Sequence, residues 1–184
     1  MANEVVAISG IKETTAALKK FDKDAARRLN KVINDELRLA ENNAKDQIPD
    51  KPPMSGWRTT AAKNPRKTTR GGEGWPAWDP QAIRQGIVKT RAEGRVRSDY
   101  TTSAGALLNK TASGVIFEVA GRRTPGEGTG RKMIGNLNDR FRKASRGIWA
   151  VIDRDRPRIY ANIRSAMDDA QKTLQANLNK DKKG

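Results

Sequence analysis

The 184-residue sequence contains no cysteine and no histidine. Those absences exclude Ser-His-Asp and Cys-His nucleophile systems, thiolate or imidazole zinc sites, and a disulfide framework. A histidine pH switch is equally excluded. Aromatic residues are only 5% and hydrophobic residues 35% of the chain, lean for a globular core even with 16 glycines added. No apolar run approaches the roughly 20 residues that cross a bilayer, and the first residues lack the apolar segment of a signal peptide. The sequence therefore reads as a soluble protein made in the cytoplasm, with no membrane partner. An enzyme built from this alphabet would have to use carboxylates, Lys, Tyr or Ser. No residue stands out as catalytic, cofactor-binding or metal-ligating, and no cofactor is expected.

Charge is abundant: 37 Lys and Arg against 21 Asp and Glu give a net +16. Its distribution matters more than its sum. Residues 1–50 carry nine groups of each sign, residues 51–131 fifteen basic and six acidic, and residues 132–184 thirteen basic and six acidic. A field of this sign attracts polyanions, either nucleic acid or the acidic face of another protein.

Periodicity predicts one α+β domain. A short strand or arm occupies residues 1–10, around Glu4–Ile8. A single long amphipathic helix follows over 11–48, its stripe carried by Ile11, Leu18, Phe21, Ala25, Leu29, Val32, Ile33, Leu37, Ala40, Ala44 and Ile48. Gly10 and Glu13 stand as a capping box at its start, and Pro49 ends it. Residues 49–80 form a Pro- and Gly-punctuated basic loop holding Trp57, Trp75 and Trp78. A small antiparallel sheet is expected over 81–121, with strands around Ile83–Val88, Val96–Thr102 and Val115–Ala120, and with Ala104–Thr111 ambiguous. A second flexible loop covers 122–135. C-terminal helices fill 136–180, with Pro157 in the first turn of the last one and Asp155 as its cap.

The Gly126, Gly128 and Gly130 run fits neither a Walker loop nor a dinucleotide fingerprint, so it reads as a flexible loop. Asp153, Asp155, Asp168 and Asp169 read as helix-flanking or solvated acids rather than a cation site. Glu118, alone among apolar neighbours, is a candidate buried acid, although pairing with Arg or facing water is the commoner outcome. Trp57, Trp75, Trp78, Phe117 and Trp149 are candidate interface anchors. Arg58, Lys63, Arg66, Lys67, Arg70, Arg122, Arg123, Arg131 and Lys132 are candidate contacts for DNA phosphates or an acidic partner. No recognisable nucleic-acid module accompanies them, so such contacts would be to the backbone and salt-sensitive.

The order of elements resembles the neck (head–tail connector) or tail-completion proteins of long-tailed bacteriophages. Gly10-Ile11-Lys12-Glu13 at the helix start is similar to the family's opening. Ile48-Pro49 followed by Ser55-Gly56-Trp57 resembles its helix exit, and Phe117-Glu118-Val119-Ala120-Gly121 its strand carrying Glu before Gly. Ala144-Ser145-Arg146 with Trp149 resembles the ending of actinobacterial phage members. The basic loop at 58–80 and the Gly-rich stretch at 126–130 depart from the pattern. The resemblance implies a non-enzymatic virion protein that forms a homo-oligomeric ring, often six-fold. Such a ring joins tail to head around the DNA channel and contacts neighbouring neck and tail-tube proteins. The alternative reading is a basic protein that contacts nucleic-acid phosphates non-specifically.

Overall fold

The computed structural model describes residues 15–16, 18–20, 22–54, 57–59, 76–90, 105–121, 130–141, 143–144 and 146–181; of 130–133, 178, 180 and 181 it describes the backbone alone. Helix α1 spans Lys23–Asp46. Residues 15–16 and 18–20 are also helical, but Asp22 interrupts the run. Its Oδ1 accepts from the backbone N–H groups of Asp24 at 3.0 Å and Ala25 at 2.8 Å. The continuous helix expected over 11–48 is therefore corrected. A short carboxylate side chain competes for backbone donors and restarts the helix at the next residue, Lys23. The expected Gly10 and Glu13 capping box and the Glu4–Ile8 strand lie outside the described residues. At the far end, Arg84 closes α1. Its Nη2 donates to the carbonyl of Ile48 and to Asp50 Oδ1, both at 2.6 Å, and its Nε to the carbonyl of Lys45 at 3.4 Å. A guanidinium thus serves carbonyls at the helix exit, that of Lys45 being shared with the Ile48 N–H at 3.1 Å.

One segment expected as a strand is helical in its first part and another throughout. α2 is Pro80–Gly86, and Ile83 lies within it, whereas Ile87 and Val88 of the same expected strand do form strand. Asp79 accepts from the Ala82 N–H at 2.9 Å, and Pro80 fills the first helical position. That cap and its pre-set φ outweigh a three-residue apolar pattern. α3 is Ala112–Val119, in place of the expected Val115–Ala120 strand. Thr111 caps it by accepting from the Gly114 N–H, while Asn109 Oδ1 holds Thr111 through its N–H at 3.0 Å and its hydroxyl at 2.8 Å. Local capping of this kind outweighs β-propensity over so short a stretch. The observed sheet pairs β1 (Ile87–Thr90) with β2 (Ala106–Asn109) in antiparallel fashion. β2 falls in the stretch whose state was ambiguous, and the expected Val96–Thr102 strand lies outside the described residues. α4 (Gly130–Phe141) and α5 (Ile148–Asp181) complete an α+β architecture that is mostly helical. α5 runs through Pro157, which is exposed in its interior and not in its first turn. Asp155 does not cap it, but accepts from Arg154 Nε at 2.7 Å and lies 3.7 Å from Arg158 Nη2.

The chain divides into two compact units, Met1–Ala40 with Lys89–Leu107 and Ile152–Gly184, and Glu41–Val88 with Leu108–Val151. In the first, the α1 residues Ala25, Ala26, Leu29, Ile33 and Leu37 are buried, as are Ile159, Ile163 and Ala170 of α5. Their spacing of three and four is the stripe read from sequence. Glu36, buried on α1, accepts from Arg158 Nη1 at 2.5 Å and from Asn162 Nδ2 at 2.6 Å. Both partners lie on α5, so a buried charge is matched and hydrogen-bonded as its desolvation requires.

The second unit is organised by aromatic rings. Trp57, Trp78, Phe117 and Phe141 form an edge-to-face series with centroids 5.0, 5.4 and 5.4 Å apart. Each indole N–H is satisfied inside the chain, Trp57 donating to the Pro76 carbonyl at 2.9 Å and Trp78 to the Pro49 carbonyl at 3.2 Å. Ile83, Ile87, Leu137 and Val151 are buried in the same unit.

Two helical glycines give opposite expectations. A Cβ on Gly114 would stand 2.6 Å from Thr111 Oγ1 and run into Asn109, whereas one on Gly135 of α4 meets nothing within 4 Å. Gly114→Ala is expected to destabilise the chain by about 1–3 kcal/mol through forced displacement of the cap, and Gly135→Ala to stabilise it by about 0.4–1 kcal/mol. Urea denaturation checks both; equal effects would contradict the geometry.

Candidate functional site

Glu118 is the acid that the sequence singled out, and its environment decides whether chemistry is open to it. It is buried on α3, at 7% exposure. One carboxylate oxygen accepts from the Gly147 N–H at 2.6 Å and the other from the Trp149 N–H at 3.0 Å. These are amides at the start of α5, where backbone donors lack helical partners and the helix dipole favours negative charge. Glu118 is therefore the cap of α5, supplied from another helix. Both oxygens being engaged, it is poorly placed to exchange a proton with a substrate.

Arg146 answers from the other side. It is buried, at 3% exposure. Its Nη1 donates to the carbonyls of Phe117 at 2.7 Å and Ala120 at 2.9 Å, at the end of α3, and its Nη2 to Asn138 Oδ1 of α4 at 2.8 Å. The guanidinium lies 5.9 Å from the Phe117 ring centroid, within cation–π range. Burial pulls its pKa below the ordinary arginine value, and the charge of Glu118 partly restores it. Gly121, with φ +86°, turns the chain immediately after this junction, a conformation that favours glycine.

The proposed interface anchors fare unequally. Trp57, Trp78 and Phe117 are buried in the chain's own second unit. The chain itself covers these rings and satisfies the indole N–H groups of Trp57 and Trp78. Trp149 is half-buried. Trp75 lies outside the described residues. Of the basic candidates, Arg58 is half-buried and its carbonyl accepts from the Trp78 N–H at 2.6 Å. Arg131 and Lys132 lie on α4, with side chains outside the described residues, as are Lys63, Arg66, Lys67, Arg70, Arg122 and Arg123 altogether. The structure does not bring the basic candidates together as a described site. Among the described residues, no group of three or more carboxylates is placed to hold a metal ion, and no helix is long and apolar enough to cross a membrane.

The surface that sequence reasoning missed is on α3. As a strand, Val115, Phe117 and Val119 would share a face. As a helix, Phe117 and Glu118 turn inward, while Ala112, Val115 and Val119 repeat at helical spacing on the exposed side. Val115 and Val119 are 41% and 42% exposed, and Leu108 of β2 in the same unit is 47% exposed. The only ionisable residue of α3 is the inward Glu118. Reading the Thr111 cap from sequence would have revealed this face.

No protein-family model matches the chain, and no curated protein or solved structure is similar to it.

The Glu118 and Arg146 exchange predicts a strong stability effect. Glu118→Ala leaves two α5 amides without their acceptor and the buried Arg146 guanidinium without its neighbouring counter-charge, and is expected to cost about 3–5 kcal/mol in chemical denaturation. Arg146→Lys, which keeps the charge but loses the fork, should also destabilise markedly. A loss under about 1 kcal/mol for either variant would contradict the arrangement.

Proposed function

We propose that this chain is a non-enzymatic virion structural protein of the phage neck or tail terminus, forming a homo-oligomeric ring that joins tail to head around the DNA channel. The observation that carries the reading is the uncharged, exposed aliphatic face of α3. Chains of net +16 repel one another, and they meet most readily where no charge is brought together. Exposed apolar surface of this kind marks association sites. The resemblance noted in the sequence supplies the particular setting, and the structural use of Glu118 supports the absence of an active site built on it.

A ring needs two different complementary patches, because one patch meeting its own copy closes a dimer. Among the described residues, the exposed large hydrophobics are Leu108, Val115 and Val119 in the second unit, and Leu39 and Tyr160 in the first. The second-unit set of one copy is the natural partner of the first-unit set of the next.

Mixing of variants tests this. Val115→Lys with Val119→Lys should remove one patch, and Leu39→Glu with Tyr160→Glu the other, with folding checked by circular dichroism. Wild type should form rings in native mass spectrometry, alone or with proteins encoded by neighbouring reading frames. Each variant should stay monomeric and their mixture should stop at dimers. A wild type that remains monomeric in both settings contradicts the ring, and a variant mixture that still forms full rings contradicts the patches.

A further inference from the structure

The charge balance of residues 1–50 hides a segregation along the helical segment. Residues 19–31 contain Lys19, Lys20, Lys23, Arg27, Arg28 and Lys31 against Asp22 and Asp24, whereas residues 32–50 contain Arg38 and Lys45 against five acids. In the later stretch charges are arranged to attract: the exposed Asp35 pairs with Arg38 three residues on, and the half-buried Glu41 with Lys45 four residues on. The earlier stretch does the reverse. Lys23, Arg27 and Lys31 follow one another at intervals of four, and Arg28 and Lys31 at three, so like charges are stacked on adjacent turns. Such pairs oppose helix formation. Lys23 also stands in the first turn of α1, where the dipole disfavours a cation.

The acids in this stretch do little to relieve the repulsion. Asp22 is engaged in capping, and its Oδ2 accepts from Asn177 at 3.2 Å. Asp24 meets Arg27 at 2.8 Å, but with both side chains more than 70% exposed the pair is solvent-screened. Lys19, Lys20, Lys23, Arg27, Arg28 and Lys31 are all exposed. An arrangement that weakens its own helix is not explained by folding, and becomes favourable once a polyanion lies against it.

We propose that the exposed face formed by Lys23, Arg27, Arg28 and Lys31 of α1 is a contact site for the phosphate backbone of nucleic acid. Two features favour nucleic acid over an acidic protein. A protein interface carries an apolar or aromatic centre inside a polar rim, and the exposed residues described between 19 and 31 are all charged. Backbone phosphate contacts need no such centre. The face from Lys23 to Lys31 is about 12 Å long at the helical rise, and a duplex presents a phosphate charge every ~1.7 Å of its axis. Several cations can therefore be engaged at once without any base being read. The assignment holds whether or not the chain builds a ring.

The test is fluorescence anisotropy with a labelled duplex of about 30 base pairs at about 50 and about 200 mM salt. Lys23→Gln, Arg27→Gln, Arg28→Gln and Lys31→Gln are combined in one variant, and Arg66→Gln, Lys67→Gln and Arg70→Gln in a second. Wild type should bind with a steep salt dependence. The α1 variant should lose at least about tenfold in affinity at the lower salt, and its log–log salt slope should shrink by up to about 3–4, one contact contributing about 0.9. Its thermal midpoint should be unchanged or higher, since repulsion is removed; a merely structural cluster would lower it. Three results overturn the proposal: no duplex binding by wild type at low salt, an α1 variant that binds as wild type does while the loop variant loses binding, or displacement of the duplex by polyglutamate at lower charge concentration than by unlabelled DNA.

Discussion

The second unit depends on an exchange between two helix ends. α3 supplies the carboxylate of Glu118 to the first amides of α5, and the residue before those amides, Arg146, supplies its guanidinium to the last carbonyls of α3. Each end presents polar groups that helical geometry leaves unpaired, and each is satisfied by a charge from the other. The charges also attract one another, so the exchange is closed electrostatically as well as by hydrogen bonding. Phe117 lies at the centre of it, its carbonyl accepting from Arg146 and its ring joining the series that runs through Trp78 and Trp57. Capping and aromatic packing are thus one construction.

This use of charged residues bears on function. In a chain without cysteine or histidine, a buried acid beside a buried arginine is the obvious place to look for catalysis. Here both oxygens of the acid hold backbone amides. Glu36, the other well-buried glutamate among the described residues, is likewise held, by Arg158 and Asn162. What remains outward on α3 is aliphatic, and what remains outward on the first half of α1 is cationic. On the proposals above, the aliphatic face meets a protein neighbour and the cationic one a polyanion. A subunit of a neck ring around a DNA channel accommodates both, which is why that proposal organises the observations better than an enzyme does.

The helical thirds were legible from sequence because their signal is distributed. Ala25, Leu29, Ile33 and Leu37, or Ile159 and Ile163, repeat over several turns, and no single residue can conceal the period. The segments that were misread are short and governed by one polar residue each. Asp79 before Pro80, and Thr111 before Ala112, start helices in stretches whose apolar residues alternate well enough to suggest strands. Those caps were present in the sequence and should have outweighed alternation. Asp22 restarts a helix by the same chemistry. The role of Glu118 was not legible at all. Its partners lie 29 and 31 residues further along the chain, and only the fold brings them to it. The placement of Pro157 inside α5 follows from that same fact: with Glu118 supplying the cap, the helix starts at Ile148 and needs none from Asp155.

The central claim is that the chain is a repeated structural part of a virion neck, and its location is the most direct test. If that proposal is right, cryo-electron microscopy of purified virions of a phage whose genome carries this reading frame, with mass spectrometry of the same particles, should show several copies arranged about the tail axis at the head–tail junction. Particles that are complete and infectious yet contain none of this chain would contradict the account.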